Sequence, residues 1–136
     1  MRLYISGPMT GLPDYNYPAF EGARVKLGQA GYKVLSPHRV EEIRWDMDGV
    51  EMSLHETWRT IAIPKPENQE YLWAWYMRRA LGQLLCCDGL VLLPGWERSR
   101  GATWEQENAF KLHIPIGTLA WWLEQVELQR GQDVHV

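Results

Sequence analysis

The apolar run Leu90-Val91-Leu92-Leu93 constrains the fold more than any other stretch of the chain. Four consecutive aliphatic residues present apolar groups to both faces of any strand they form, so that strand has to be covered on both sides. Cys87-Asp88-Gly89 turns the chain into the run and Pro94-Gly95-Trp96 stops it. This is the pattern of an interior parallel strand, and parallel strands require crossover helices. The flanks read as such helices. Over residues 70–85, Leu72, Trp75, Tyr76, Arg79 and Gln83 fall at helical spacings, with Leu81, Leu84 and Leu85 as core. Beyond the run, 97–101 reads as a polar loop, 102–112 as the next helix, 113–118 as a short further strand and 121–129 as a last amphipathic helix before a fraying polar tail.

The N-terminal part repeats the logic. Residues 2–6 (RLYIS) are rich in β-formers and stop at Gly7-Pro8, which suits a first, central strand. Gly7-Pro8-Met9-Thr10-Gly11 follows as a loop whose two glycines leave backbone amides open to an anion, or simply make a tight turn. Asn16 is placed to cap a helix with Pro18 in its first turn. Phe20, Ala23, Val25 and Leu27 mark its inner face over 18–30, and Gly31 is placed to end it. Residues 32–36 form a second strand ended by Pro37. Strand, helix, strand makes a βαβ unit with a right-handed crossover. The chain of 136 residues fits one domain over 1–136, an α/β fold with a doubly wound parallel sheet.

Residues 40–68 are less legible. Asp46-Met47-Asp48-Gly49 begins like a calcium loop but lacks the later ligands, and His55 and Glu56 have no ligand-spaced partner, so no metal site is expected. A segment of this length in a compact domain serves as a lid or a partner arm, and Trp45, Met52 and Trp58 could cover a ring-shaped ligand or pack on a neighbouring subunit. Net charge is −3, which gives no broad basic field for duplex nucleic acid but leaves room for a small phosphorylated ligand. The adjacent Cys86 and Cys87 read as reduced thiols, since a vicinal disulfide is strained. With no signal peptide and no membrane span, the expected location is the cytoplasm.

In a doubly wound sheet the loops leaving the strands share one edge, where ligands bind. That edge brings 4–10 beside 96–105, and so gathers Tyr4, Ser6, Arg98, Ser99, Arg100, Gly101 and Glu105. Glu105 is the candidate reactive group. The plain alternative is a first-turn carboxylate that steadies its helix through the dipole, as Glu107 also could.

These residues resemble a known family. Leu3-Tyr4-Ile5-Ser6-Gly7-Pro8-Met9-Thr10-Gly11 and Asp14-Tyr15-Asn16-Tyr17-Pro18-Ala19-Phe20 are similar to the opening of a phage and bacterial family of unknown function, the DUF4406 group. Cys87-Asp88, Leu92-Leu93-Pro94-Gly95-Trp96-Glu97, Ser99-Arg100-Gly101-Ala102 and Glu105 agree in the second half; the middle segment does not take part. That group resembles the nucleoside 2-deoxyribosyltransferases and deoxynucleoside monophosphate N-glycosidases. The resemblance implies a Rossmann-like fold, no cofactor, and chemistry at the anomeric carbon of a nucleoside or nucleotide. It implies Glu105 as nucleophile in a Gly-x-x-x-Glu turn that begins at Gly101, and Ser99 as a contact to the 5′-phosphate. Tyr4, Ser6, Gly7, Met9, Thr10, Gly11, Asp14 and Arg100 would complete the substrate pocket. The sequence departs from the family at Ala80, where an aspartate near the base is usual. Asp88 reads as a cap, which leaves Asp14 or an acid of the middle segment to protonate the departing base.

The expected function is N-glycosidic cleavage or deoxyribosyl transfer on a nucleoside 5′-monophosphate. A phosphoribohydrolase of the lysine-decarboxylase-like group ranks lower, because its Pro-Gly-Gly-x-Gly-Thr-x-x-Glu turn is only loosely echoed by Pro94-Gly95 and 101–105. The reading from another class is a non-catalytic nucleotide-binding or interaction module. The resemblance also implies a homo-oligomer, with Trp58, Trp73, Trp75, Trp121 and Trp122 as candidate interface residues.

Overall fold

The computed structural model describes residues 1–9, 11–36 and 69–134, without the side chains of 69–72, 75–76 and 132–134. Thr10, the acidic stretch at 46–49, Trp45, Met52, His55, Glu56, Trp58 and the side chain of Trp75 lie outside it. The strands are β1 (Arg2–Ser6), β2 (Lys33–Leu35), β3 (Gly89–Leu92) and β4 (Ile116–Thr118), and the helices are α1 (Tyr17–Gln29), α2 (Gln69–Leu85), α3 (Arg100–Lys111) and α4 (Leu119–Val134). All strand pairs are parallel, in the order β2-β1-β3-β4. The expected α/β doubly wound arrangement is therefore present. No described helix is long and apolar enough to cross a membrane.

The pleat of β1 sorts the core into two layers. Leu3 and Ile5 pack with Val91, Leu93, Phe20, Ala23 and Leu27 of α1, and Trp122 of α4. Tyr4 packs to the opposite side with Leu90, Leu92, Leu84 of α2 and Ala109 of α3. β3 is buried at all four positions, as a strand covered on both faces must be.

Local chemistry sets the element ends. Gly31 at φ +103 closes α1: its N–H donates to Gly28 O and that of Tyr32 to Leu27 O, both at 3.1 Å. This is a Schellman ending, and Tyr32 and Leu27 meet in the same apolar cluster. α3 ends the same way with His113 in the glycine position, at φ +58. Its N–H donates to Phe110 O and that of Ile114 to Ala109 O. These bonds occupy 113–114, so β4 begins only at Ile116. α4 starts at Leu119 because Thr118 Oγ1 accepts from Trp121 N at 3.1 Å, and it runs on to Val134 rather than fraying after 129.

Several packing expectations change. Asn16 stands at the N-cap position of α1 as expected, but at φ +61 its side chain makes no capping bond; its amide donates instead to Pro8 O at 2.9 Å, tying the helix to the β1-exit loop. Val25 is 39% exposed and Leu85 56% exposed, so neither is core. Trp122 is not an interface residue: it is 3% exposed and its indole N–H donates to Leu90 O at 2.9 Å. Trp121 is 40% exposed. The thiols of Cys86 and Cys87 are free, and burial pushes Cys87 up to about 12.

Trp122 explains Gly89. A Cβ there would run into the indole and come within 2.8 Å of Leu3 Cδ2, whereas one at Gly22, inside α1, would meet nothing within 4 Å. Gly89→Ala is expected to destabilise by ~1–3 kcal/mol through overpacking. Gly22→Ala is expected to stabilise by ~0.5–1 kcal/mol through helix propensity. Urea unfolding of the two variants beside the parent checks the opposite signs.

Candidate active site

Ser6 ends β1 on the same face as Tyr4, and the first turns of α3 pass over both. There Ser6 Oγ donates a 2.8 Å hydrogen bond to Glu105 Oε1, joining residues 99 apart in sequence. Ser6 is 1% exposed and Glu105 6% exposed. The Tyr4 phenol also lies against the carboxylate and favours its charged form. Glu105 Oε2 nevertheless has no well-formed hydrogen-bond partner among the described residues.

Burial pushes the Glu105 carboxyl up to about 7, against the opposing pull of the Tyr4 and Ser6 hydroxyls. Burial, and then the neighbouring Glu105 charge, drive the Tyr4 phenol well above its ordinary value, so Tyr4 stays protonated and can act as a donor. A carboxylate that accepts few hydrogen bonds in a dry site can take or give a proton near neutrality, or attack an electrophilic carbon. Glu105 is not the first-turn carboxylate of the plain alternative. Ser99 is the N-cap and no acid lies in the first turn of α3, so Glu105 falls in the second, past the reach of the helix dipole.

The two expected loops do meet. Leu93 N donates to Ser6 O at 2.9 Å, carrying the β1–β3 pairing one step beyond the strands. A Cβ on Gly7 would lie 2.8 Å from Leu93 Cβ, and one on Gly95 would lie 3.2 Å from Pro8 Cγ. Gly7 is therefore required for the close approach of the two strand ends, with or without a ligand. Gly11 is left-handed at φ +81 in open space.

At the head of α3, Ser99 Oγ accepts from Ala102 N at 3.1 Å. Thr103 Oγ1 donates to Ser99 O at 2.8 Å. Arg100 is exposed, and its guanidinium carbon sits 3.8 Å above the centre of the Trp73 ring, a cation–π stack. Trp104 packs edge-on to Trp73, centroids 6.3 Å apart. Gly101 lies one turn before Glu105 on the same side of α3, and a Cβ there would be 3.4 Å from Met77 Sδ. Met77 and Ser99 therefore already line the place a side chain at 101 would take, and they close over the helix face that carries Glu105.

Tyr4, Ser6 and Glu105 are thus brought into one cluster, and Ser99, Arg100 and Gly101 stand at the head of the same helix. Met9 instead packs half-buried on the apolar layer under α1 and α4. Asp14 is exposed in a left-handed turn at 14–16, with φ of 51°, 51° and 61°. Asp88 is tied to the opposite edge of the sheet: its N–H donates to Arg2 O at 2.7 Å and its Oδ2 accepts from Arg2 N at 2.8 Å. Ala80 packs against the core beneath α2. Two residues of α2 were not expected here. Met77 was not singled out, and Trp73, assigned to an interface, carries Arg100 instead. Their spacing with Ala80 and Leu84 was the available signal, since 73, 77, 80 and 84 mark one helical face. Among the described residues no three His, Cys, Asp or Glu side chains converge as a metal site.

Comparison with known proteins returns one match. The family model described as "Domain of unknown function (DUF4406)" matches residues 1–118. No curated protein and no solved structure matches the chain significantly.

The displaced Glu105 titration makes stability depend on pH. Between its unfolded value, near 4.5, and about 7 the folded chain holds the proton more tightly, so stability falls as pH rises through that window and then levels off. Glu105→Gln removes this loss. Relative to the parent, the variant is expected to gain ~3 kcal/mol on going from pH 4 to pH 8, read by urea unfolding at the two pH values. An equal difference at both would contradict the buried carboxylate.

Proposed function

The chain belongs to the DUF4406 family, whose matched region includes both Ser6 and Glu105, and we propose that it cleaves the N-glycosidic bond of a nucleoside 5′-monophosphate with Glu105 as nucleophile. The observation that carries this reading is the buried carboxylate with one oxygen held by Ser6 and the other without a well-formed partner among the described residues. It lies where open α/β sheets bind ligands: beyond the carboxyl ends of β1 and β3, at the point where successive connections leave in opposite directions.

Rupture of the bond between base and sugar builds positive charge at the anomeric carbon. A carboxylate in a low-dielectric site stabilises that charge and can form a glycosyl ester, which water then opens; a second base could capture the sugar instead. The head of α3 suits the phosphate. The Arg100 and Gly101 N–H groups have no partners within the helix, Ser99 keeps its hydroxyl proton, and Arg100 adds charge. Asp88, tied to the far edge, does not protonate the leaving base. Free thiols at Cys86 and Cys87 fit a reducing, cytoplasmic setting, and Trp121 offers an exposed indole to a neighbouring subunit.

Incubation with purine and pyrimidine nucleoside 5′-monophosphates should release free base, read by chromatography, and Glu105→Ala should remove that activity. The nucleophile acts ionised, so kcat/KM should rise with pH and level off above about 7. A nucleotide that raises the melting temperature but is recovered intact would instead favour a binding module.

A further inference from the structure

Resting on that reading, we propose that Ser6 is a positioning residue for the nucleophile rather than a substrate contact, and that its hydroxyl commits Glu105 to react through Oε2. Ser6 Oγ is within 2.8 Å of Oε1, so its hydroxyl is already engaged with the carboxylate. Its one proton is committed to Oε1. Among the described residues Oε2 is the carboxylate oxygen with an unused acceptor position, on a side chain 6% exposed. A hydroxyl has a single proton, so the same group cannot serve both oxygens.

The bond changes follow. An electron pair of Oε2 forms the bond to the anomeric carbon as the bond to the base nitrogen breaks, and that pair leaves with the base. Oε1 becomes the carbonyl oxygen of the ester. Water then attacks the anomeric carbon, the bond from Oε2 to that carbon breaks, and its electrons return to the carboxylate; water supplies the hydroxyl of the sugar and, in the net reaction, the proton of the freed base. Ser6 matters most in the second step, where negative charge returns to the carboxylate and Oε1 again accepts a charge-assisted bond. Loss of Ser6 therefore slows opening of the ester.

Among the described residues the groups facing Glu105 are few. From β1 they are Ser6 and the Tyr4 phenol; Cys87, at the entrance to β3, acts on Tyr4 rather than on Glu105. Because the Ser6 hydroxyl holds the Glu105 pKa down against burial, its removal moves the acid limb of the pH profile to higher pH.

The test uses the full chain with a deoxynucleoside 5′-monophosphate, comparing parent, Ser6→Ala and Ser6→Thr, which keeps a hydroxyl. Ser6→Ala should lower kcat by ~10–100-fold, the scale of a lost hydrogen bond to a charged group, and KM should fall with it, because slower opening of the ester lowers both. Its acid limb should move up in pH, a glycosylated chain should accumulate by intact mass spectrometry, and Ser6→Thr should recover both the rate and the limb. A raised KM at unchanged kcat, or an unmoved acid limb, overturns the proposal. If the parent releases no base from any nucleotide, the functional reading fails instead. Coupling between Ser6→Ala and Glu105→Gln in urea unfolding at pH 8 is then the separate measure, and strict additivity there would overturn the positioning role as well.

Discussion

The pleat of β1 is the constraint on which the rest of the structure depends. Five residues in the middle of a parallel sheet must send alternate side chains to opposite layers. Leu3 and Ile5 go to the layer under α1 and α4, while Tyr4 and Ser6 go to the layer under α2 and α3. The structural and the chemical halves of the strand are therefore separated by one residue of register. A slip of one position would bury two hydroxyls against Phe20 and Leu27 and set two aliphatic groups against Glu105. Three features fix that register. Ser6 pairs with Leu92, the ladder continues from Leu93 N to Ser6 O, and Gly7 lets the strand ends close.

This frame holds a carboxylate where its charge is costly. A glutamate in the first turn of α3 would face free N–H groups; the second turn offers none, and burial removes water as well. Among the described residues what remains is the Ser6 hydroxyl and the Tyr4 phenol, and together they do not offset burial, since the group still lies near 7. Tyr4 in turn is held protonated by burial and then by the charge it faces. The site thus couples an acid that titrates near neutrality to a donor that does not titrate in the same range.

The elements legible from sequence were those set by local pattern. The run at 90–93 had to be an interior strand, residues 2–6 its neighbour, and Gly31 a helix end. The meeting of the β1 and β3 exit loops followed from parallel topology alone. The failures came where a distant partner overrides the local preference. Asn16 suits an N-cap, but Pro8 O claims its amide. Trp122 looks like an interface residue until Leu90 O and the gap at Gly89 take its indole. Leu85 has core chemistry but sits on the outer side of α2. The Ser6–Glu105 bond belongs to this class: each residue was a candidate, and nothing within 99 positions of chain ties one to the other.

The arrangement at the head of α3 bears on why the phosphate and the sugar carbon can be served by one helix. Ser99 Oγ accepts from Ala102 N through one lone pair, and Ser99 N donates to Trp96 O. These bonds use two of the four N–H groups that a helix start leaves open, so the open pair is that of Arg100 and Gly101. Both lie four to five residues before Glu105, and at 1.5 Å per residue the axial offset is about 6–7 Å. On the proposed reading this offset separates an anion held at the amides from a carbon held at Oε2, the relation between the 5′-phosphate and the anomeric carbon across one sugar ring. A nucleoside without the phosphate would lose the upper anchor. The cap at Ser99 thus does more than begin a helix: it sets which two amides stay open and how far they stand from the buried carboxylate.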